Sequence, residues 1–251
     1  MLSLFSKGTD NHVLFRIYNA TPQLKASLSS FDIWKQDMFS VDVLMTTSNF
    51  ETLNLNNTQY KVLNDNIQSQ IDAETNKKSL VNKIPTPTAF KTDNTWFEHY
   101  FNDFNDYEVT KNWYKTLATT YPEVVEYVPS IGKSIEGRDI FAIFITGQEF
   151  ASKKQFYIES LIHAREWATG STSAYIAWEL VKGFSENNKV IVNLLNQIEV
   201  IIVPIVNPDG YAYSHSIDRM WRKNRRKVNK IDYGVDLNRN FQDGYWYFKF
   251  I

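Results

Sequence analysis

Over residues 12–74, short segments with strand-like patterns of hydrophobic and polar residues alternate with short segments of helical pattern. Segments rich in β-branched and aromatic residues predict four short strands, and stretches with helical spacing lie between them. The predicted strands are Val13–Tyr18, Phe31–Trp34, Val41–Met45 and Tyr60–Leu63, and the predicted helices are Gln23–Leu28, Ser48–Leu55 and a polar Ile67–Glu74. The β-α-β-β-α-β order of this region predicts a small ferredoxin-like α+β sandwich.

The segments with strand-like and helical patterns are longer in the second part of the chain. The predicted helices are Val109–Thr120 and Ala168–Phe184, and the predicted strands are Val124–Ile131, Ile140–Thr146, Phe156–Ile162 and Val200–Val206. Strands that alternate with helices predict an α/β domain whose mixed, mostly parallel sheet is covered on both faces. Active sites in such sheets lie at the carboxyl ends of the strands.

A change in composition separates the two regions. From Asp72 to Asn94 the chain is rich in lysine and proline and poor in large apolar residues, which is typical of an exposed connector. The pattern therefore predicts a small domain over 1–74, a connector over 75–95 and a larger, incomplete α/β domain over 96–251. A chain of 251 residues is long enough for this arrangement.

Composition narrows the classes of function. The 27 lysines and arginines nearly balance 28 aspartates and glutamates, so no overall field attracts the chain to nucleic acid or an anionic membrane. The chain has no cysteine, which excludes disulfides, iron–sulfur clusters, zinc fingers and thiol nucleophiles. The longest apolar run, Val200–Val206, is too short to span a bilayer.

The first candidate for chemistry is His163-Ala164-Arg165-Glu166, between a predicted strand and a predicted helix. An imidazole and a carboxylate three residues apart can face one point, and both are suitable zinc ligands. A catalytic zinc site would need a third protein ligand and an open position. The alternative for an isolated motif of this kind is a histidine bonded to a helix-capping glutamate.

The second candidate is the basic run Arg219–Lys227. By itself it is compatible with a nuclear localisation or phosphate-binding patch, or with a solvated loop. A third possibility is an oxyanion site, because guanidinium groups pair with carboxylates through two parallel hydrogen bonds.

Two further segments have turn-like or strand-like chemistry. Val235–Phe241 predicts a short strand that ends in the pair Asn238-Arg239, which could recognise a carboxylate or could be a turn with a surface arginine. Asn207-Pro208-Asp209-Gly210 predicts a turn that shapes a loop and carries no chemistry.

Four motifs occur in the order His163–Trp167, Asn207–Tyr211, Arg219–Lys223 and Asp236–Phe241. Together they resemble the zinc metallocarboxypeptidases of the carboxypeptidase A/B family, the M14 or funnelin peptidases. Ile131–Arg138 is similar to the family's strand-turn-strand lead-in, and the resemblance covers about residues 97–244. Residues 12–74 more faintly resemble the family's ferredoxin-like activation domain, which would make 75–95 the activation segment.

The resemblance implies roles for individual residues. His163 and Glu166 would be two of the three protein ligands of a catalytic Zn²⁺, in the His₂Glu set of carboxypeptidase A. Arg222 would stabilise the oxyanion at the scissile carbonyl. The residues implied to bind substrate are Arg165, Arg219, Asn238 and Arg239, the last two at the terminal carboxylate. The implied partners are peptide and protein C-termini, without nucleic acid or membrane.

The resemblance also sets expectations for the chain beyond the four motifs. The family's third zinc ligand is a histidine, and its general base a glutamate, both beyond the Asn-Arg pair. The remaining histidines, His12, His99 and His215, do not match that position. We therefore expect a C-terminally truncated proform that is inactive alone. The family implies secretion and activation by a trypsin-like protease at the connector, although the first residues do not form a signal peptide.

Two other functions stay open at this level. The chain could be a non-catalytic, carboxypeptidase-like binding or inhibitory protein that retains residues 1–74. The run Arg219–Lys230 could instead bind nucleic acid, which would make binding depend steeply on salt.

Overall fold

The computed structural model describes residues 12–53, 55, 58–80, 95–147, 153–230 and 232–241. The chain divides into two compact units, Met1–Asn82 and Lys83–Ile251. Most of the predicted connector, residues 81–94, lies outside the described residues. The boundaries predicted at 74 and 95, and the role of the connector, remain predictions.

The first unit has the predicted β-α-β-β-α-β order followed by one more helix. Its elements are β1 (His12–Tyr18), α1 (Pro22–Leu28), β2 (Asp32–Gln36), β3 (Ser40–Thr46), α2 (Thr47–Thr52), β4 (Tyr60–Asn64) and α3 (Ile67–Leu80). The strands form one antiparallel sheet in the order β2-β3-β1-β4. The activation role of this unit stays a prediction.

Side-chain alternation explains the core of this sheet. Val13, Phe15 and Ile17 of β1 point to one face, where they pack against every second residue of β3. The Phe15 ring stacks on Phe50 of α2 with centroids 3.8 Å apart. Helix α1 begins where the Thr21 hydroxyl accepts the Leu24 N–H, as a capping threonine does.

The second unit is a mixed α/β fold. Its elements are α4 (Thr95–His99), α5 (Tyr107–Thr120), β5 (Val125–Lys133), β6 (Asp139–Ile145), β7 (Lys154–Glu159), α6 (Trp167–Ser185), α7 (Lys189–Gln197), β8 (Ile198–Val203) and α8 (Pro208–Ser216). Short 3₁₀ helices cover Tyr100–Asn102 and Leu237–Arg239. The predicted mixed-sheet α/β class is confirmed.

The strands of the second unit pair in the order β5-β6-β8-β7. Only β7 and β8 are parallel among the described strands, so the prediction of a mostly parallel sheet is wrong for this part of the chain. The short turn between β5 and β6 accounts for one antiparallel pair, because parallel neighbours need a longer crossover. The pair of β6 and β8 is antiparallel as well. The helical crossover α6–α7 joins the one parallel pair.

An aromatic core lies beside this sheet. Trp113 and Tyr114 of α5 and Trp178 of α6 are fully buried, and Phe97 stacks on Trp178 with ring centroids 4.8 Å apart. Buried residues of β6 and β8 complete the cluster. Along the part of the chain that the structure describes, no helix is both long and apolar enough to cross a membrane.

Three predicted segments differ from the structure in ways that affect the candidate site. The predicted turn at Asn207–Gly210 is the first turn of α8, since Asn207 caps the helix and Pro208 occupies a position where its missing N–H costs nothing. The predicted strand Phe156–Ile162 ends at Glu159. The predicted strand Val235–Phe241 is instead a 3₁₀ turn that Asp236 caps.

Candidate functional site

A strained backbone segment leads from β7 to the site. Leu161 has a φ of 56°, in the left-handed region that non-glycine residues rarely adopt. Its buried side chain lies against Gly170 of α6, where an added Cβ would come within 2.7 Å of Leu161 Cδ1. The Leu161 N–H donates to the Thr169 hydroxyl at 3.1 Å. These contacts fix the turn that presents His163 and Glu166 at the start of α6.

His163 lies between two carboxylates. Its Nδ1 is 3.0 Å from Glu166 Oε1, and its Nε2 is 3.1 Å from Asp236 Oδ1. Arg222 donates from Nε to Asp236 Oδ2 at 3.2 Å and from Nη1 to Glu166 Oε1 at 3.4 Å. We name His163, Glu166, Arg222 and Asp236 the His163 cluster. It joins three of the four motifs.

The cluster favours ionised carboxylates. Burial would raise the pKa of Asp236, but the hydrogen bond from His163 and the charge of Arg222 outweigh it and hold that pKa well below its usual value. Burial likewise opposes the lowered pKa of Glu166, which the His163 hydrogen bond causes. Burial would lower the pKa of His163, yet its bonds to Asp236 and Glu166 raise it. The two carboxylates are thus balanced by His163 and Arg222, and a metal ion would have to displace the His163 proton to bind its imidazole.

Two residues of the cluster fit part of a zinc site. Two ligand atoms that each lie about 2.0–2.1 Å from a tetrahedral zinc ion are roughly 3.3 Å from each other. His163 Nδ1 and Glu166 Oε1 are 3.0 Å apart, which is close to that separation. Asp236 lies at the opposite ring nitrogen, where a carboxylate fixes the tautomer and orientation of a ligating histidine. The described residues contain no group of three or more histidine, cysteine or acidic side chains arranged to hold a metal.

Arg219 and Arg165 lie beside α6. The Arg219 guanidinium carbon is 3.5 Å from the Trp167 ring centroid, and its Nη1 donates to the Arg165 carbonyl at 2.9 Å. His215 stacks on Trp167 with centroids 3.8 Å apart. Two groups this close to one ring must occupy opposite faces, so Trp167 is held between Arg219 and His215. Arg165 donates to the Met220 carbonyl at 3.4 Å.

Asn238 and Arg239 follow the cluster directly. The Asn238 N–H donates to Asp236 Oδ1 at 3.0 Å, and the Arg239 side chain is exposed. The 3₁₀ turn therefore connects both residues to the carboxylate that orients His163. The structure brings the predicted zinc ligands and Arg222 into direct contact, whereas Asn238 and Arg239 adjoin them through Asp236.

The sequence prediction gave Asp236 no role and gave the Asn207 segment only that of shaping a loop. Both are within quoted motifs, and both bind groups far away in the chain: Asp236 contacts His163, and the Asn207 amide donates to the carbonyls of Ile162 and Lys223 at 3.1 Å. The helix-start chemistry of Asn207-Pro208 was the available signal for the second.

Comparison with known proteins identifies relatives of both the sequence and the fold. The zinc carboxypeptidase family profile matches residues 110–249, more than half of the chain. The inactive metallocarboxypeptidase ECM14 of Saccharomyces cerevisiae is 30% identical over 219 residues, which are 84% of this chain and 47% of that protein. Mast cell carboxypeptidase A of Rattus norvegicus is 29% identical over 191 residues, which are 76% of this chain and 42% of that protein. The chain thus spans less than half the length of these relatives.

Solved structures agree with the sequence relatives. Carboxypeptidase A from Helicoverpa armigera superposes with a TM-score of 0.74 at 29% identity, over 92% of this chain and 58% of that one. Thrombin activatable fibrinolysis inhibitor superposes with a TM-score of 0.73 at 24% identity, over 94% and 60%, and supports the fold alone. The resemblance seen in the motifs is confirmed: the chain belongs to the zinc carboxypeptidase family.

Proposed function

We propose that the function of this chain is that of a zinc-dependent metallocarboxypeptidase, which removes the C-terminal residue from peptides. The observation that carries the proposal is the position of His163, with Glu166 at Nδ1 and Asp236 at Nε2. His163 and Glu166 would hold Zn²⁺, and a third protein ligand would complete the site. When bound, Zn²⁺ supplies Lewis-acid chemistry at the scissile carbonyl.

The residues of the chain would divide the remaining work. Arg222 would donate to the carbonyl oxygen of the scissile bond as negative charge develops there. Its Nη1 lies 3.4 Å from Oε1 of Glu166, so the guanidinium is adjacent to a proposed zinc ligand. Asp236 would orient both His163 and Arg222 through its two oxygens. Asn238 and Arg239 would bind the terminal carboxylate of the substrate.

Arg165 and Arg219 would contact substrate residues further from the scissile bond. The stack on Trp167 restricts the Arg219 guanidinium and lowers the entropy lost on binding. Peptide and protein C-termini are therefore the proposed partners. We also propose secretion as a zymogen, with a trypsin-like protease cutting after lysines of the connector.

Zinc affinity tests the proposal directly. Chelator competition on the purified chain should detect zinc binding that H163A and E166Q each weaken at least about tenfold, since each removes a ligand. H99A is the matched control, because His99 is an exposed histidine on α4. Equal affinities for H163A and the unaltered chain would contradict the metal assignment.

Hydrolysis tests the reaction itself. In a protein that supplies the third ligand and the general base, a peptide with a free C-terminus should lose its last residue in a zinc-dependent reaction, and its C-terminally amidated form should not. The chain alone should leave both peptides intact. R222A should lower the rate by about 10²–10³ if it stabilises the oxyanion. A zinc-loaded chain that cleaves both peptides equally would contradict the carboxypeptidase assignment.

A second candidate is a non-catalytic protein that binds peptide C-termini. One observation favours it: the yeast relative, of which this chain spans 47%, is named an inactive metallocarboxypeptidase. This function predicts that a peptide with a free carboxylate binds without release of an amino acid. R239A should weaken that binding, and amidation of the peptide should abolish it.

A further inference from the structure

Asn207 has a buried side chain in which both N–H groups of the amide and its carbonyl oxygen form hydrogen bonds. It is 2% exposed, its Nδ2 donates to the carbonyls of Ile162 and Lys223 at 3.1 Å each, and its Oδ1 accepts the Gly210 N–H at 3.1 Å. Two carbonyls on one side and one N–H on the other fix the orientation of the carboxamide. A carboxylate could replace only the contact to Gly210, and a hydroxyl could replace that contact and at most one of the two carbonyl contacts.

The two carbonyls belong to the two segments that carry the candidate chemistry. Ile162 directly precedes His163, and Lys223 directly follows Arg222. The Ala164 N–H also donates to the Arg222 carbonyl at 3.0 Å. Asn207 therefore joins these segments from one side while the backbone joins them from within.

The packing around Gly210 shows how closely helix α8 approaches this junction. An added Cβ at Gly210 would lie 2.4 Å from the Lys223 carbonyl oxygen and 2.6 Å from Asn207 Nδ2. The first turn of α8 thus packs backbone to backbone on the segment after Arg222. The amide of Asn207 is held by the helix that it caps, and it cannot shift alone.

We propose that Asn207 is a positioning residue that sets the separation between the His163–Glu166 segment and Arg222 by bridging the Ile162 and Lys223 carbonyls. The inference rests on the proposed function, since it gives Asn207 a part in that same site. Ligands and charged groups of a functional site must be held to within about 0.5 Å. One buried amide that binds both segments provides this restraint.

Substitution of Asn207 by aspartate tests the two roles of the side chain separately, namely the bridge between the two carbonyls and the cap of α8. N207D keeps an oxygen for the Gly210 N–H, because aspartate caps helices as well as asparagine does. It turns both carbonyl contacts into oxygen–oxygen repulsion. N207S keeps a capping hydroxyl and leaves one donor in place of two, so it cannot bridge both carbonyls, and it adds no charge. The matched control is N188D, because Asn188 caps α7 by accepting the Val190 N–H at 3.0 Å.

The first measurement is zinc affinity by chelator competition. N207D and N207S should bind zinc about tenfold more weakly than the unaltered chain, the effect expected when support for a ligand is lost. N188D should match the unaltered chain. Wild-type affinity in both Asn207 variants would overturn the inference.

The second measurement needs no metal, so it stays informative if the unaltered chain binds no zinc and the proposed function fails. Amide hydrogen exchange of Ala164 reports the bond to Arg222 directly. N207D and N207S should speed it by at least about tenfold while buried amides of β6 remain protected. Unchanged exchange at Ala164, or loss of the whole fold in both variants, would overturn a positioning role.

Discussion

The second unit contains two carboxylate clusters that differ in what surrounds the acid. Asp209, at the start of α8, accepts hydrogen bonds from the Ser134 hydroxyl at 2.7 Å, the Glu136 N–H at 3.0 Å and Arg138 Nη1 at 2.8 Å. We name these four residues the Asp209 cluster. It ties the turn between β5 and β6 to α8, and the side chain of Asp209 is only 3% exposed.

The His163 cluster is built from similar groups for a different purpose. Its carboxylates face the two nitrogens of one histidine, and the Glu166 side chain is 41% exposed. An acid surrounded only by donors is complete in the folded protein and stabilises it. An acid beside an imidazole, with one side open to solvent, can still take a ligand. The comparison teaches that the groups around an acid, together with the solvent exposure of its side chain, distinguish a structural carboxylate from one that can bind a ligand.

The largest expected effect comes from breaking the Asp209 cluster. D209A would leave the part-buried Glu136 N–H and the Ser134 hydroxyl without their acceptor and would leave Arg138 only its exposed partner Glu136. It should lower the free energy of unfolding by about 3 kcal/mol. Urea denaturation followed by tryptophan fluorescence measures it. E126Q, which removes an exposed acid from β5, should change nothing. If D209A that is still folded also bound zinc more weakly, the distinction between the structural Asp209 cluster and the His163 cluster would be contradicted.

The converse change in the His163 cluster is D236N. It keeps the shape of the side chain but removes the charge that orients His163 and Arg222. Zinc affinity should fall by about 10–100-fold, as for other carboxylates behind a ligating histidine. The free energy of unfolding should also fall, because the lowered pKa of Asp236 means that its charge stabilises the folded chain. The loss should be smaller than in D209A, since the amide keeps an acceptor oxygen and the Asp236 side chain is 21% exposed against 3% for Asp209. Chelator competition and urea denaturation on the same preparation measure both. A stability loss as large as that of D209A would contradict the distinction.

Alkaline pH should lower the stability of the second unit through two tyrosines that belong to neither cluster, which separates this effect from both. Burial, together with the nearby charges of Glu108 and Asp139, raises the pKa of Tyr107 to about 12. Burial and the same two charges raise the pKa of Tyr127 to about 12. Between about pH 10 and pH 12 the unfolded chain releases these protons and the folded chain keeps them, so stability falls as pH rises.

Urea denaturation across this pH range measures the effect, and absorbance of the phenolate follows the titration. The double variant Y107F/Y127F removes both groups and should lose less stability between pH 10 and pH 12 than the unaltered chain. Identical slopes for the two proteins would show that neither phenol has a raised pKa in the folded state.

Local pattern was sufficient to predict most of the fold. The strand β1 combines β-branched and aromatic residues with alternating burial, so its position agrees with the structure to within one residue. The pairing in the second sheet was not predictable in the same way. The order β5-β6-β8-β7 depends on which strand edges meet, and the alternation of helices and strands gives no direct record of that.

The candidate site divides along the same line. His163 and Glu166 are three residues apart, so one turn of chain is enough to suggest a shared ligand. Asp236 is 73 residues from His163, and Asn207 binds a carbonyl 45 residues away. These roles depend on tertiary contacts between loops. The Asn207-Pro208 pair indicates a helix start, but no local spacing indicates the contacts of Asn207 with Ile162 and Lys223 or that of Asp236 with His163. Family resemblance supplied the motif around Asp236 without the reason for it.

The smallest expected effect lies at the rim of the Asp209 cluster. Glu136 pairs with Arg138 at 2.5 Å, but its side chain is 43% exposed, and exposed ion pairs contribute little. Its backbone N–H donates to Asp209 whatever the side chain is. E136Q should therefore change the free energy of unfolding by less than about 0.5 kcal/mol, and added salt should reduce the difference further. If E136Q instead cost as much as D209A in urea denaturation, the ion-pair network would carry the stability, and the burial of Asp209 would not explain it.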